Sequence, residues 1–244
     1  MPTIYLSPST QENNYYVNGG TEEEYMNLLA DKMVPYLDAS GIRYVRNTPS
    51  MTAASSIAAS NAGNYDLHLA LHSNAAPVYG SARGSIAFYY PGSAQGKRAA
   101  QLIADGLKAI YPLPNLVRAE ATTAIGEVRR TKAPSVLLEL GYHDNAADAQ
   151  WIKDNLDAVA RNLVLSLTEY FGIPFFEREG SGSGAVDVDW GALNLRARPT
   201  QSAPILAQIP DGTSLPLINR YQDWYLTEYR SMTGYVNARY VSVN

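Results

Sequence analysis

The chain has 244 residues, a formal net charge of -4, 46% hydrophobic residues and no cysteine. That hydrophobic content supports a buried core and excludes wholesale disorder; the missing cysteine excludes disulfide scaffolds, thiolate metal sites and cysteine nucleophiles. Charged residues are only 17% and form no basic stripe, so no nucleic-acid partner held by phosphate contacts is expected.

In chain order, Thr3–Leu6 is a short apolar run stopped by Ser7-Pro8-Ser9, which predicts a first strand. Tyr25, Leu28, Leu29, Met33, Tyr36 and Leu37 recur at helical spacing, with Glu22, Glu23 and Glu24 at the favourable N-terminal end and Gly41 as a stop. Pro35 is expected to kink this helix in its last turn. Arg43–Arg46 reads as a second strand and Thr52–Ala62 as a small-residue helix. Asp66–His72 alternates, with Leu67, Leu69 and Leu71 on one face and His68, Ala70 and His72 on the other. A strand at Ser85–Tyr90, a helix at Gly96–Ile110, an apolar strand at Ser135–Leu140 and one long helix within Ala146–Phe171 complete the alternation. The fold class is therefore α/β, a mostly parallel sheet flanked by helices on both faces.

Glu177 to Gly184 is charged, then Gly/Ser-rich, the composition of a flexible linker. It divides the chain into a domain at 1–176, a linker at 177–185 and a tail at 186–244. The tail's short alternating runs and its Pro210-Asp211-Gly212 turn predict a small all-β barrel. The N-terminus has no basic region followed by an apolar one, so no signal peptide is expected, and no apolar run is long enough to span a bilayer.

Three histidines, His68, His72 and His143, are the whole supply of imidazole. In an open parallel sheet the functional crevice lies beyond the C-terminal strand ends. There the third strand delivers His72-Ser73-Asn74 and the late strand delivers Glu139. Glu139 interrupts Val136-Leu137-Leu138 and Leu140, where an ionised carboxylate is costly without compensation. It reads either as a functional carboxylate or as a buried ion pair with Arg129 or Arg130. His68 and His72 share a strand face, but four extended residues span roughly 13 Å, so they cannot hold one metal and His68 reads as structural. The chain has no His-Glu-x-x-His run and no phosphate-binding glycine loop after a strand.

Three separated segments together resemble the zinc-dependent N-acetylmuramoyl-L-alanine amidases of the type 3 family: Thr21–Asn27, Leu69-Ala70-Leu71-His72-Ser73-Asn74-Ala75, and Pro134 to Asn145 with its Val136-Leu137-Leu138-Glu139-Leu140-Gly141 core. Order and spacing agree over nearly all of residues 1–176. The resemblance implies Zn²⁺ as cofactor, Glu23 and His72 as zinc ligands and Glu139 as the catalytic carboxylate. It also implies peptidoglycan as the partner, through its glycan and stem peptide, and action at the cell wall or outside the cell by an export route the sequence does not show. Asn74 is a candidate substrate contact or a cap on the strand-end turn, Arg129 matches a family arginine, and His143 is a candidate outer support for Glu139 or its neighbours. A monomer is expected.

One departure stands out. The family's first zinc ligand is a histidine in the loop after the first strand, and here that loop reads Ser7 to Asn14 with Asn13 as the equivalent. An amide oxygen is a poorer zinc ligand than imidazole. Either Asn13 ligates through its amide, or Glu12 or His143 completes the shell, or the chain is a degenerate amidase that binds peptidoglycan without cutting it; a bound metal ranks first. The tail, from Ala192-Leu193-Asn194-Leu195-Arg196 to Thr233-Gly234-Tyr235-Val236, resembles a bacterial SH3 domain, which implies a wall-binding module.

Overall fold

The computed structural model describes residues 1–177, 180 and 182–243. It separates into two compact units, Thr3–Val34 with Tyr44–Tyr170, and Met1–Pro2 with Pro35–Arg43 and Phe171–Asn244.

The larger unit is built on a six-stranded sheet of order β2-β1-β3-β6-β4-β5. Its strands are β1 (Thr3–Pro8), β2 (Arg43–Arg46), β3 (Leu67–Asn74), β4 (Ser85–Tyr89), β5 (Val117–Ala121) and β6 (Ser135–Tyr142). β1 pairs parallel with β3, β3 with β6 and β4 with β5, while β4 runs antiparallel to β6. The sheet is therefore mixed, with one reversed step near its edge. Around it lie α1 (Glu22–Ala39), α2 (Ala53–Ala62), α3 (Ala94–Lys108), α4 (Gly126–Arg129), α5 (Ala146–Asp154) and α6 (Leu156–Phe171). The first helix continues through Pro35 to Ala39.

The segment 146–171, expected to contain one long helix, holds the long α6 and a shorter α5 before it. Asn155 stops α5, leaving the αR region at φ -122° and ψ 14°, while its side-chain amide donates to the Trp151 carbonyl at 2.8 Å. An asparagine side chain that binds its own backbone competes with helix continuation. β5 and α4 escape sequence patterning because both are short, five and four residues, and β5 is charged and largely exposed at the sheet edge.

The central strands β3 and β6 are covered on both sides, which is why Leu67, Leu69, Leu71 and the opposite-facing His68 and Ala70 are all buried. Over the His68–His72 face, Val128 of α4 packs with Ala70 and Leu137, and Phe88 and Ile125 close the cluster. Ala70 lies midway between the two histidines, so the backbone of α4 can cross the strand there. This crossing brings the residue before Val128, Glu127, between them.

Asp148 clamps the far end of β6. It is fully buried at the start of α5, accepts from Tyr111 Oη at 2.6 Å and Arg83 Nε at 2.8 Å on one oxygen, and from the Gly84 and Tyr142 N–H groups at 3.1 and 3.2 Å on the other. Gly84 sits at φ +120°, and a Cβ there would lie 2.5 Å from the Leu116 carbonyl oxygen, so only glycine admits this close approach.

Residues 182–243 form an antiparallel seven-stranded sheet of order β13-β7-β10-β11-β12-β8-β9. The strands are β7 (Gly182–Val186), β8 (Ala192–Arg196), β9 (Ile205–Pro210), β10 (Ser214–Tyr221), β11 (Trp224–Tyr229), β12 (Met232–Asn237) and β13 (Val241–Val243). Alternate residues Leu193, Leu195, Leu215, Leu217 and Val236 point into one core with Val186, Ile209 and Val241. The expected Pro210-Asp211-Gly212 turn joins β9 to β10, with Gly212 at φ +71°. The expected linker overlaps this sheet, since Gly182, Ser183 and Gly184 pair with β10; its residues 178, 179 and 181 lie outside the described residues. Among the described residues no helix is long and apolar enough to cross a membrane.

Replacing Asp148 by alanine strands Arg83, the Tyr111 hydroxyl and two backbone N–H groups. The expected loss is about 3 kcal/mol of folding stability, read as a lower midpoint in chemical denaturation.

Candidate active site

β3 and β6 are adjacent and parallel, and His72 and Glu139 are register partners across them. The two residues singled out at separate strand ends are therefore side by side. α1 brings a carboxylate to them. Thr21 Oγ1 accepts from the Glu24 N–H at 3.2 Å, which starts the helix at Glu22 and fixes its phase. The buried stripe of α1 runs Glu22, Met26, Leu29, Met33, Leu37, all 1% exposed or less. The carboxylate that meets His72 is accordingly Glu22, with Oε1 2.8 Å from His72 Nδ1, and not Glu23 as expected from the sequence. Adjacent helix positions are about 100° apart, so Glu23 is turned off the stripe.

The other ring nitrogen meets a residue the sequence reading missed. Glu127 Oε2 is 3.2 Å from His72 Nε2, while its Oε1 is 3.2 Å from His68 Nε2 and accepts from Ser7 Oγ at 2.6 Å. His68 Nδ1 lies 3.0 Å from Ser60 Oγ. Two histidines too far apart to share an ion thus share one carboxylate. At the outer end, Asn14 Nδ2 donates to Glu22 Oε2 at 2.6 Å and Gln11 Nε2 lies 3.4 Å from His72 Nδ1. A continuous chain runs Ser60, His68, Glu127, His72, Glu22, Asn14.

The electrostatics follow from this packing. Burial opposes charge on His72, but hydrogen bonds and charge from Glu127 and Glu22 outweigh it and hold the imidazolium up to about 10. Burial likewise pushes Glu127 up, yet His68 and His72 bring it down to about 2. Glu22 is also held below the usual carboxylate range, with burial overcome by its hydrogen bond to His72. Glu139 goes the other way. Burial raises it to about 7, the charge on His72 only partly opposing and Glu22 adding to the rise. Its Oε2 is buried with no hydrogen-bond partner among the described residues. Three carboxylates around one imidazole therefore divide into two fixed anions and one poised near neutrality.

The remaining expected site residues lie as follows. Asn13 is exposed in the β1 loop; its neighbours Asn14 and Gln11 are the amides that reach Glu22 and His72. Arg129 is exposed on the last turn of α4, as is Arg130 beside it, so neither pairs with Glu139. Asn74 Oδ1 accepts from the Ala75 N–H at 2.8 Å, the strand-end turn contact. His143 is buried and its Nδ1 lies 2.8 Å from the Ser73 carbonyl oxygen, bracing the residue after His72 and not Glu139 itself. A cavity of about 400 Å³ opens beside His72 and Glu127, walled by Pro8–Gln11 and by Met51, Thr52 and Ala53 at the start of α2.

Among the described residues, no group of three or more His, Cys, Asp or Glu side chains is placed to hold a metal ion. The reason is directional: Glu22 and Glu127 approach opposite nitrogens of one ring and do not converge on a point.

No curated protein matches. Among solved structures the fold is similar to the catalytic domain of CwlV, an N-acetylmuramoyl-L-alanine amidase from Bacillus (Paenibacillus) polymyxa var. colistinus, at TM-score 0.62 and 17% identity over 71% of this chain and 100% of that one. It is also similar to the amidase AmiC2 of Nostoc punctiforme (TM-score 0.62, 13% identity, 70% and 97% covered) and to the catalytic domain of the CD27L endolysin targeting Clostridia difficile (TM-score 0.58, 20% identity, 69% and 98% covered). Residues 191–242 match the bacterial SH3 domain. Residues 9–169 match the N-acetylmuramoyl-L-alanine amidase family model, and the chain belongs to that family.

Proposed function

We propose that this chain cleaves the amide bond between N-acetylmuramic acid and L-alanine in peptidoglycan, with Glu22 and His72 as the carboxylate and imidazole donors to a zinc ion and Glu139 as general base. The observation that carries this reading is the pairing of Glu139, raised to about 7 with a buried, unpartnered oxygen, directly beside His72. A buried carboxylate without a donor is costly, and such groups persist where something that binds there completes them.

The donor set suits zinc in kind. His72 Nδ1 and Glu22 Oε1 lie 2.8 Å apart, and Gln11 Nε2 is 3.4 Å from the same ring nitrogen while its Oε1 accepts from Asn14 Nδ2 at 3.0 Å. Glu127, on Nε2, supplies the carboxylate partner that metal-bound histidines take on their outer nitrogen, fixing which nitrogen carries the proton. Zinc bound there would polarise the scissile carbonyl and lower the pKa of water to ~7.

What the chain's own residues contribute is proton transfer and orientation. Glu139, ionised, takes a proton from water as the oxygen attacks the lactyl carbonyl. It returns that proton to the alanine nitrogen as the carbon–nitrogen bond breaks, so the amine leaves neutral. Its environment keeps the carboxylate basic enough to accept a proton near neutral pH; its charge needs no neighbouring arginine, which would make it a weaker base. His72 and Glu22 hold their relative positions through the Glu127 and Asn14 hydrogen bonds, so little reorganisation accompanies the reaction. The cavity between the β1 loop and α2, lined by His72 and Glu127, offers space for substrate on that side of the imidazole.

Replacing Glu139 by glutamine is expected to preserve fold and metal content and to lower kcat about 10²–10⁴-fold in release of stem peptide from soluble muramoyl-peptide. In the unaltered protein the rate falls as pH drops through the Glu139 pKa. That acidic limb lies below about 7 in the loaded enzyme because a nearby cation stabilises the carboxylate, and it disappears in the variant. A variant with full activity removes Glu139 from the mechanism; a protein that binds no metal and releases no peptide is instead a wall-binding relative.

Replacing Glu127 by glutamine leaves His72 without its anionic partner on Nε2. Zinc affinity measured by competition with a chelating dye is expected to fall about 10–100-fold. An unchanged affinity would assign Glu127 to packing alone.

A further inference from the structure

Between β1 and α1 the chain closes a small turn. Tyr15 and Thr21 form an antiparallel bridge, the Tyr16 N–H donates to the Gly20 carbonyl at 3.0 Å, and the Gly19 N–H donates to the Tyr16 carbonyl at 3.0 Å. Gly19 and Gly20 lie at φ +91° and +75°, and a Cβ on Gly20 would stand 2.5 Å from the Tyr25 ring. Consecutive glycines in a largely exposed turn keep wide backbone freedom, which so few internal bonds oppose only weakly. Yet the base of this turn is part of the site. Asn14 Nδ2 donates to Glu22 Oε2 at 2.6 Å, and the Glu22 N–H donates to the Asn14 carbonyl at 2.8 Å. Any shift of the turn therefore moves Asn14 against Glu22.

The restraint comes from another element, the last turn of α5. Lys153 Nζ donates to the Asn18 carbonyl at 3.0 Å and to the Gly19 carbonyl at 2.7 Å. It also lies 4.7 Å from the ring centroid of Tyr25 and 5.6 Å from that of Tyr16. Tyr16 is 3% exposed and packs on Tyr25, with ring centroids 4.9 Å apart. A lysine in the last turn of a helix ordinarily serves the carbonyl end of that helix or stands in water. Here two of the three ammonium protons go to carbonyls of the turn, and two aromatic faces take up the charge. One of those rings belongs to the turn and the other to α1, so a single cation ties the turn, α1 and α5 together. Asn18 Nδ2, which donates to Gln150 Oε1 at 3.1 Å, and the Val17 N–H, which donates to the His143 carbonyl at 3.0 Å, lie on the same side of the turn.

We propose that Lys153 is a positioning residue for Glu22: by clamping the 15–21 turn it keeps Asn14 on Glu22 Oε2 and leaves Oε1 directed at His72. The effect on zinc rests on the metal reading given above; the clamp itself does not.

The test uses the full chain with Lys153→Met, Asn14→Ala and the two combined. Lys153→Met keeps the apolar stem of a half-buried side chain and removes only the charge. In the metal-free protein, amide hydrogen exchange followed by NMR should quicken about ten-fold or more at Tyr16 and Glu22 in Lys153→Met, with the β3 amides unchanged, because the opening is local. Zinc affinity, measured by competition with a chelating dye, should fall about ten-fold in Lys153→Met and by a similar factor in Asn14→Ala. The double variant should lose no more than Asn14→Ala alone, since both changes act through one hydrogen bond. Equal loss of protection in β3, unchanged exchange at Glu22, or a further loss of zinc affinity in the double variant would each overturn the proposal. If the unaltered chain takes up no zinc, the metal reading fails by itself and the exchange at Glu22 decides the clamp.

Discussion

The geometry of the catalytic unit depends on one buried anion. Glu127 lies between His68 and His72, bonded to each through a different oxygen and to Ser7 as well. Alone, a carboxylate at that depth would protonate or be expelled. With two imidazoles and a hydroxyl around it, ionisation is favoured, and the charge in turn fixes both rings. Neutralising Glu127 would also leave His72 Nε2 without its anionic partner. The short helix α4 is thus part of the site, although it carries only four residues.

That arrangement rests on packing that has nothing polar in it. α4 can cross β3 because Ala70, between the histidines, is small, and Val128 fills the space above Ala70 and Leu137. A larger residue at 70 would lift the helix and with it Glu127. On the other flank, the phase of α1 is set by its Thr21 start and by Met26, Leu29, Met33 and Leu37, which bury one stripe and carry Glu22 inward at its end. Apolar packing determines where the charges stand; the charges then divide among themselves which is fixed and which can exchange a proton.

Much of this was legible in the residues. The alternation of β3 and the charged interruption of β6 located His72 and Glu139 at strand ends, and the parallel pairing of those strands put them in register. Where the reading went astray, the causes are specific. The resemblance points to Glu23 through its spacing from Asn27, whereas the buried stripe of α1, extended back from Met26, reaches Glu22; Leu28, 40% exposed, lies off that stripe. Glu127 could not be found by periodicity, because four residues make barely one helical turn. Nor does loop sequence show which amide reaches the site, and Gln11 and Asn14 contact His72 and Glu22 where Asn13 does not. The Gly/Ser segment was read as a linker from composition, whereas pairing with β10 makes a strand of its second half.

The assignment of Glu22 carries the account most directly, since its neighbour Glu23 differs from it only in direction. Equilibrium zinc titration of the unaltered chain, Glu22→Gln and Glu23→Gln, with folding checked by circular dichroism, separates the two. The account predicts that Glu22→Gln loses stoichiometric zinc while Glu23→Gln keeps the affinity of the unaltered chain. Retention by Glu22→Gln together with loss by Glu23→Gln would contradict it.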